Sequence, residues 1–223
     1  MMKDLINKYF REQLRETFSV LLVHEAKLTV SLELNQEDAK TLHETYYKSY
    51  GLAIEGLVLH HKIDPLEYNG KVDDALPLDQ VLHSDPQLRK LISDIDRTKV
   101  RLWLFTNAYI THGKRVVKLL GIEDLFDGIT YCDYAQEILI CKPKIEMFEK
   151  GLLYSRESCD PEILLTDYDS TINCQAAVRF GWENTVQKLE PSDPEPSVSV
   201  AKHNIRSLEE LRALYPEFFK PPN

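Results

Sequence analysis

Val100-Arg101-Leu102-Trp103-Leu104-Phe105-Thr106-Asn107-Ala108 is the stretch on which the reading of this chain turns. A mostly apolar run ends abruptly in Thr-Asn. A short apolar run bounded by polar turn residues reads as a strand buried on both faces. The following segment, Tyr109 to Leu120, carries Val116, Val117, Leu119 and Leu120 at helical spacing, and Gly121 supplies its stop. In open α/β sheets a ligand sits beyond the carboxyl ends of the strands. Thr106 and Asn107 therefore fall where a hydroxyl, an amide and the N–H groups of a helix start can hold a phosphate. The plainer alternative is a buried strand with a polar turn.

Working outward, the rest of residues 85–223 alternates strands with helices. Helix 86–96 precedes the strand at 100–105. Asp127 to Tyr131 reads as a turn and short strand, and Lys142-Pro143 as the opening of a helix that runs to Leu153. Glu162 to Thr166 is a second apolar strand, followed by Asp167-Tyr168-Asp169-Ser170 and a helix over 171–180 stopped by Gly181. Thr185 to Gln187 reads as a short strand, and Ser207 caps a last helix, Leu208 to Leu214. Such alternation predicts a parallel α/β sheet.

Residues 1–84 are mainly helical. Helices are expected at 2–15, at 36–50 with Asn35 as N-cap, onward from Gly51 to His61 in the same register, and at 66–72. Residues 17–34 break the pattern and read as two short strands around a charged turn.

The chain has 223 residues, 43% of them hydrophobic, enough for a sizeable core. A net charge of -9 argues against nucleic-acid polymers and anionic membrane surfaces as partners, because both require a basic footprint. Cys132, Cys141, Cys159 and Cys174 form no CxxC pair, which favours buried thiols in a reducing compartment. No apolar run reaches the roughly 18 residues of a membrane span. A cytoplasmic or nuclear location is the expectation.

Thr106, Lys142 and Asp169 fall after predicted strands or at a helix start, and each suits phosphate-ester chemistry. A threonine hydroxyl binds phosphoryl oxygens, and a lysine supplies positive charge where negative charge develops. A carboxylate holds Mg²⁺, a hard cation that bridges to phosphate. Each also has a structural alternative. Lys142 fits an exposed helix-start lysine, Asp169-Ser170 an ordinary N-cap, and Asp167 a turn acid.

The ordered set resembles the haloacid-dehalogenase-like phosphatases, and within them the fungal pyrimidine 5′-nucleotidase branch. It consists of LWLFTNA at 102–108, DLFDGITYCDY at 124–134, CKP at 141–143, and DS at 169–170 with Asn173 three residues on. YYKSYGLAIEGLVLHHKIDPLEYN at 46–69 and VDDALPL at 72–78 resemble that branch's cap. The resemblance implies a Rossmann-like core with a helical cap, Mg²⁺, and hydrolysis of a nucleoside monophosphate through an aspartyl-phosphate. By it, Thr106 binds the phosphoryl group with Asn107 beside it, and Lys142 neutralises charge and orients the nucleophile. Asp169 holds Mg²⁺ with Asp167 as a second candidate, and Asn173 braces the motif. Tyr46, Tyr47 and His60 become candidate nucleobase contacts, although tyrosines at helical spacing also serve as half-buried core.

Three departures qualify the expectation. No Asp-x-Asp ends an apolar strand upstream of Thr106, so the family's nucleophile motif is absent. Tyr168 replaces the first of two adjacent acids. Residues 16–33 have no counterpart, and Leu14-Arg15 would join Leu34-Asn35 smoothly without them. The expectation is thus a cap at 1–84 with an atypical insert at 16–33, and a core at 85–223 without its first strand, from an incomplete or mis-spliced gene product. The alternative to phosphomonoesterase activity is a non-catalytic phosphate- or nucleotide-binding homologue.

Overall fold

The computed structural model describes residues 35–155, 166–168, 171–190 and 193–221, with the backbone alone for 166–168. The helices expected at 2–15 and the strands at 17–34 lie outside the described residues.

Helices α1 (Gln36–Tyr50), α2 (Ala53–His61) and α3 (Pro65–Lys71) come first. Asn35 caps α1 as expected, its Oδ1 accepting from the Asp38 N–H at 2.9 Å. The expected continuation of this helix to His61 is corrected. Gly51 adopts φ 75°, its N–H donates to Tyr47 O at 2.8 Å, and α2 starts afresh at Ala53. This left-handed residue turns α1 and α2 into a helical hairpin. Asp64 caps α3 through the Glu67 N–H, with Pro65 in its first turn.

The hairpin packs through Gly56, where an added Cβ would overlap the Tyr46 ring at its Cγ. Gly56→Ala therefore collides with the base of a side chain, which swings away less readily than a tip. The overlap outweighs the better helix propensity of alanine. We expect a net loss of about 1–2 kcal/mol in urea unfolding.

The remainder is α/β. Helix α4 (Pro86–Ser93) precedes β1 (Trp103–Phe105), α5 (Ile110–Leu119) and β2 (Gly128–Thr130). Then follow α6 (Ile145–Ser155), β3 (Thr166–Tyr168), α7 (Thr171–Phe180), β4 (Val186–Lys188), β5 (His203–Ile205) and α8 (Leu211–Leu214). All strand pairings are parallel: β1 with β2 in register Trp103 to Gly128, and β3 with β4 with β5. Strand β5 lies just before Ser207, in residues to which the sequence reading assigned no element. Its three residues, His-Asn-Ile, carry no periodic apolar signal.

Trp103, Leu104 and Phe105 are all half-buried, which corrects the expectation of a strand covered on both faces. Among the described residues β1 pairs with β2 alone.

Among the described residues four buried clusters hold the layers together. The helical hairpin meets the α/β part through Ala39, Ile54, Leu57, Tyr68 and Val72 against Cys132, Tyr134, Leu139 and Cys141. Leu76, Leu78 and Leu82 cover Val117, Leu120 and Ile122 at the end of α5. Phe148 of α6 packs on Ala176, Ala177 and Trp182, with Phe105 and Phe180 beside them. Val186 and Ile205 meet Leu211 and Tyr215. Cys132, Cys141 and Cys174 are buried free thiols, as expected, and Cys159 lies outside the described residues. No helix among the described residues is long and apolar enough to cross a membrane.

Candidate phosphate site at the end of β1

The backbone ladder runs one residue beyond β1, because the Thr106 N–H donates to Thr130 O at 3.0 Å. The chain then turns sharply. Thr106 Oγ1 accepts from the Ala108 N–H at 3.0 Å and closes a hydroxyl turn. That leaves the Thr106 hydroxyl proton at the carboxyl end of the strand. Helix α5 opens immediately after, with Tyr109 at its N-cap. Tyr109 makes no side-chain hydrogen bond to the first-turn amides. The positive end of α5 and the Thr106 hydroxyl thus lie within a few residues of each other.

Lys142 comes to the same place from far along the chain. It is only 6% exposed, and its Nζ donates to Phe105 O at 3.3 Å, above the Phe105 ring at 5.2 Å from the centroid. Its helix-start assignment is corrected: a cis Lys142–Pro143 peptide intervenes, and α6 begins at Ile145. A buried ammonium at the end of a strand is costly unless its environment is anionic or polar. The end of β1 is therefore a place where the fold holds a positive charge.

Asn107 sits between them, and its geometry differs from what a phosphate ligand requires. Its Nδ2 donates to Lys142 O at 2.8 Å and to Gly51 O at 3.2 Å. Its Oδ1 accepts from the Lys142 N–H at 2.7 Å. Tyr134 adds a long hydrogen bond from its hydroxyl to Asn107 O at 3.5 Å. Thr106, Asn107 and Lys142 are therefore together, with the Asn107 side chain bonded entirely to backbone groups.

Asp169 and Ser170 lie outside the described residues. Asp167 is the central residue of β3, in register with Gln187 of β4. Asn173 is buried on α7, and its side-chain oxygen meets no donor among the described residues. Among the described residues no three His, Cys, Asp or Glu side chains converge to hold a metal ion.

One Asp-x-Asp spacing does occur upstream of Thr106, at Asp94 and Asp96, but on the wrong end of the sheet. Both precede β1 at its amino side. Asp94 is bonded by Lys90 Nζ at 2.7 Å and by Arg212 at 2.8 Å, and the Lys90 contact foremost holds its carboxyl below the ordinary range. Asp96 accepts from the Thr98 hydroxyl and its N–H. These acids tie the C-terminal segment to the loop before β1, together with the Lys220 N–H on Asp94 O and the Asp96 N–H on Phe218 O.

The candidate base contacts form two tyrosine–histidine pairs. Tyr46 OH lies 2.9 Å from His61 Nε2, and Tyr50 OH lies 2.6 Å from His60 Nε2. The Tyr46 and His60 rings stack at 5.4 Å. Tyr47 projects outward, 42% exposed. The sequence reading missed Tyr50 and His61, although Tyr50 follows Tyr46 by one helical turn and so shares its face.

It also missed Glu55, a buried carboxylate of α2. Glu55 pairs with Lys144 Nζ and accepts from Cys141 Sγ at 3.0 Å. The pair joins the hairpin to the segment that carries Lys142. A glutamate at a core-facing helical position three residues after Leu52 was the available signal, and it needs a partner that no local pattern supplies.

Comparison with known proteins places this geometry among relatives. The chain is 39% identical over 179 residues to Phosphate metabolism protein 8 of Saccharomyces cerevisiae, covering 77% of this chain and 56% of that protein. It therefore spans little more than half the length of that relative. The fold matches a dehalogenase solved with an intermediate complex, at a TM-score of 0.54 and 16% identity over 89% of this chain and 92% of that one. It also matches the HAD-hydrolase YfnB from Bacillus subtilis bound to magnesium, at a TM-score of 0.60 and 15% identity over the same shares. No family model matches.

Proposed function

We propose that this chain is a haloacid-dehalogenase-like hydrolase, a reading supported by the fold it shares with a dehalogenase and a HAD-hydrolase, and that it binds the phosphoryl group of a small phosphate ester at the end of β1 and acts on it as a phosphomonoesterase. A pyrimidine nucleoside monophosphate is the proposed substrate. The observation that carries the reading is the buried Lys142 ammonium beside Thr106 and the start of α5. Lys142 offsets phosphoryl charge in a site of low water content, where an ion contact is stronger than in bulk. The Thr106 hydroxyl and the first-turn N–H groups of α5 bond the phosphoryl oxygens. Mg²⁺ is the proposed cofactor, held by Asp169 with Asp167, because carboxylate oxygens suit a hard cation that bridges to phosphate.

A second reading is favoured by the placement of Asp94 and Asp96. The upstream aspartate pair is committed to Lys90, Arg212 and Thr98 on the far side of β1. Binding of a nucleotide without turnover is the function that Thr106 and Lys142 support when no carboxylate attacks phosphorus.

Phosphate release from uridine monophosphate, measured with Mg²⁺ and with a chelator, separates the two. Metal-dependent release that Asp169→Asn abolishes establishes the enzyme. Calorimetric binding without release establishes the binder. In either case Lys142→Met is expected to weaken the affinity for the nucleotide by about 10- to 100-fold, the scale of a hydrogen bond to a charged group. An unchanged affinity would remove Lys142 from the site.

A further inference from the structure

Asn107 follows Thr106 directly, and proximity alone makes it a phosphate ligand. Its hydrogen bonds assign it a different task. A primary amide has two N–H donors and one oxygen acceptor. Both donors are used, one on Lys142 O at 2.8 Å and one on Gly51 O at 3.2 Å. The oxygen accepts from the Lys142 N–H at 2.7 Å. The orientation of the amide is unambiguous, because a backbone N–H can only meet the oxygen and two carbonyls can only meet the nitrogen. Nothing remains to donate to a phosphoryl oxygen, which accepts and cannot donate when ionised.

The three partners belong to separate parts of the chain. Lys142 N and O flank the α-carbon of the site lysine. Gly51 is the left-handed residue that ends α1, at φ 75°. A Cβ there would stand 2.5 Å from Lys142 O and 2.6 Å from Pro143 Cδ. The hairpin turn thus presses directly on the lysine's peptide, and only glycine fits. Cys141, the residue before the lysine, is bound to the hairpin as well, its thiol donating to Glu55. Lys144, two residues after Lys142, pairs with the same carboxylate.

We infer that Asn107 is a positioning residue, a three-way fastener that fixes the Lys142 peptide to the end of β1 and to the turn of the α1–α2 hairpin. This inference rests on the phosphate-site reading for its functional consequence but not for its geometry. The lysine reaches the end of β1 because its own backbone is clamped from both sides. The hairpin, with its Tyr46–His61 and Tyr50–His60 pairs, is set at a constant distance from the lysine. A ligand that touches both the hairpin and the phosphate site is therefore measured against a rigid frame.

The test is an amide hydrogen-exchange and ligand-binding experiment on the full chain by NMR, with inorganic phosphate as the probe. In the unsubstituted chain the Asn107 side-chain NH₂ is expected to exchange at least tenfold more slowly than exposed asparagine amides, and to keep its shift when phosphate is added. In Asn107→Ala the Lys142 N–H is expected to exchange at least tenfold faster while α5 amides keep their protection, and phosphate affinity falls through loss of lysine position. Asn107→Asp keeps an oxygen for the Lys142 N–H but sets a second carboxylate oxygen against the Lys142 and Gly51 carbonyls, so it is expected to loosen the Lys142 N–H as Asn107→Ala does. A fast-exchanging Asn107 side chain whose signal moves with phosphate would overturn the inference and make Asn107 a ligand. An unchanged Lys142 N–H in Asn107→Ala would overturn it too. If phosphate binds to none of the proteins, the phosphate-site reading fails while the exchange data still decide the fastener.

Discussion

Phe148→Ala is expected to lower the unfolding free energy by about 3–5 kcal/mol, the range for removing a large aromatic from a packed core. Phe148 is fully buried on α6. Its ring meets Phe105 edge-on at 5.4 Å, Trp182 at 5.2 Å and Phe180 at 5.6 Å, and rests on Ala176 and Ala177. Alanine neighbours cannot grow into the vacated space, and three rings around a hole cannot all move in without leaving their own contacts. The cavity therefore persists, which places the cost at the upper part of the range. The effect should reach the site as well, because Phe105 is the strand residue whose carbonyl meets Lys142 Nζ. A urea melt should show a lower midpoint with an unchanged slope, since the surface exposed on unfolding is the same. Phe148→Leu, which keeps much of the volume, should recover more than half of the loss.

Alkaline pH is expected to unfold the protein through the cluster that joins the hairpin to the α/β part. The Cys141 thiol is pushed well above the ordinary range, by contact with the Cys132 sulfur first, then by burial and by the Glu55 carboxylate. Burial foremost, with Asp73 adding to it, raises Tyr68 and Tyr134 far above theirs. In the unfolded chain a thiol ionises near pH 8.5 and a phenol near pH 10, roughly their model values. Above those values the unfolded state has released protons that the folded state keeps, so stability falls as pH rises. Each such group contributes a slope of about 1.4 kcal/mol per pH unit. One thiol acts between about pH 8.5 and 10, and the two phenols join it above about pH 10, for a combined slope of about 4 kcal/mol per unit. Urea midpoints taken from pH 7.5 to 11 should hold steady, then fall gently, then steeply. Cys141→Ala should flatten the gentle part and leave the steep one. A midpoint constant to pH 11 would mean that these groups ionise freely inside the fold.

Local pattern determined a good deal of this protein. Asn35 with Asp38, Asp64 with Glu67, and Ser207 with Glu210 form caps whose bonding partners lie within three residues. Such signals are legible because the donor and acceptor are close in the chain. The apolar run before Thr106 announced a parallel strand, and the Thr-Asn after it announced the ligand end of the sheet. The order of motifs pointed to the haloacid-dehalogenase-like fold that the chain shares with its solved neighbours. The tertiary structure alone decided how those residues act. Asn107 looks like a phosphate ligand beside Thr106, and only the arrival of Gly51 from residue 51 and Lys142 from residue 142 occupies its amide. Asp94 and Asp96 have the spacing of a nucleophile pair, and only the sheet places them at its amino end against Arg212. Half-burial of β1 follows from what packs on its two faces, which no property of Trp103, Leu104 or Phe105 can specify. A hydrogen bond across 56 or 35 residues leaves no periodic trace in a sequence, because its two ends are selected by shape and not by spacing.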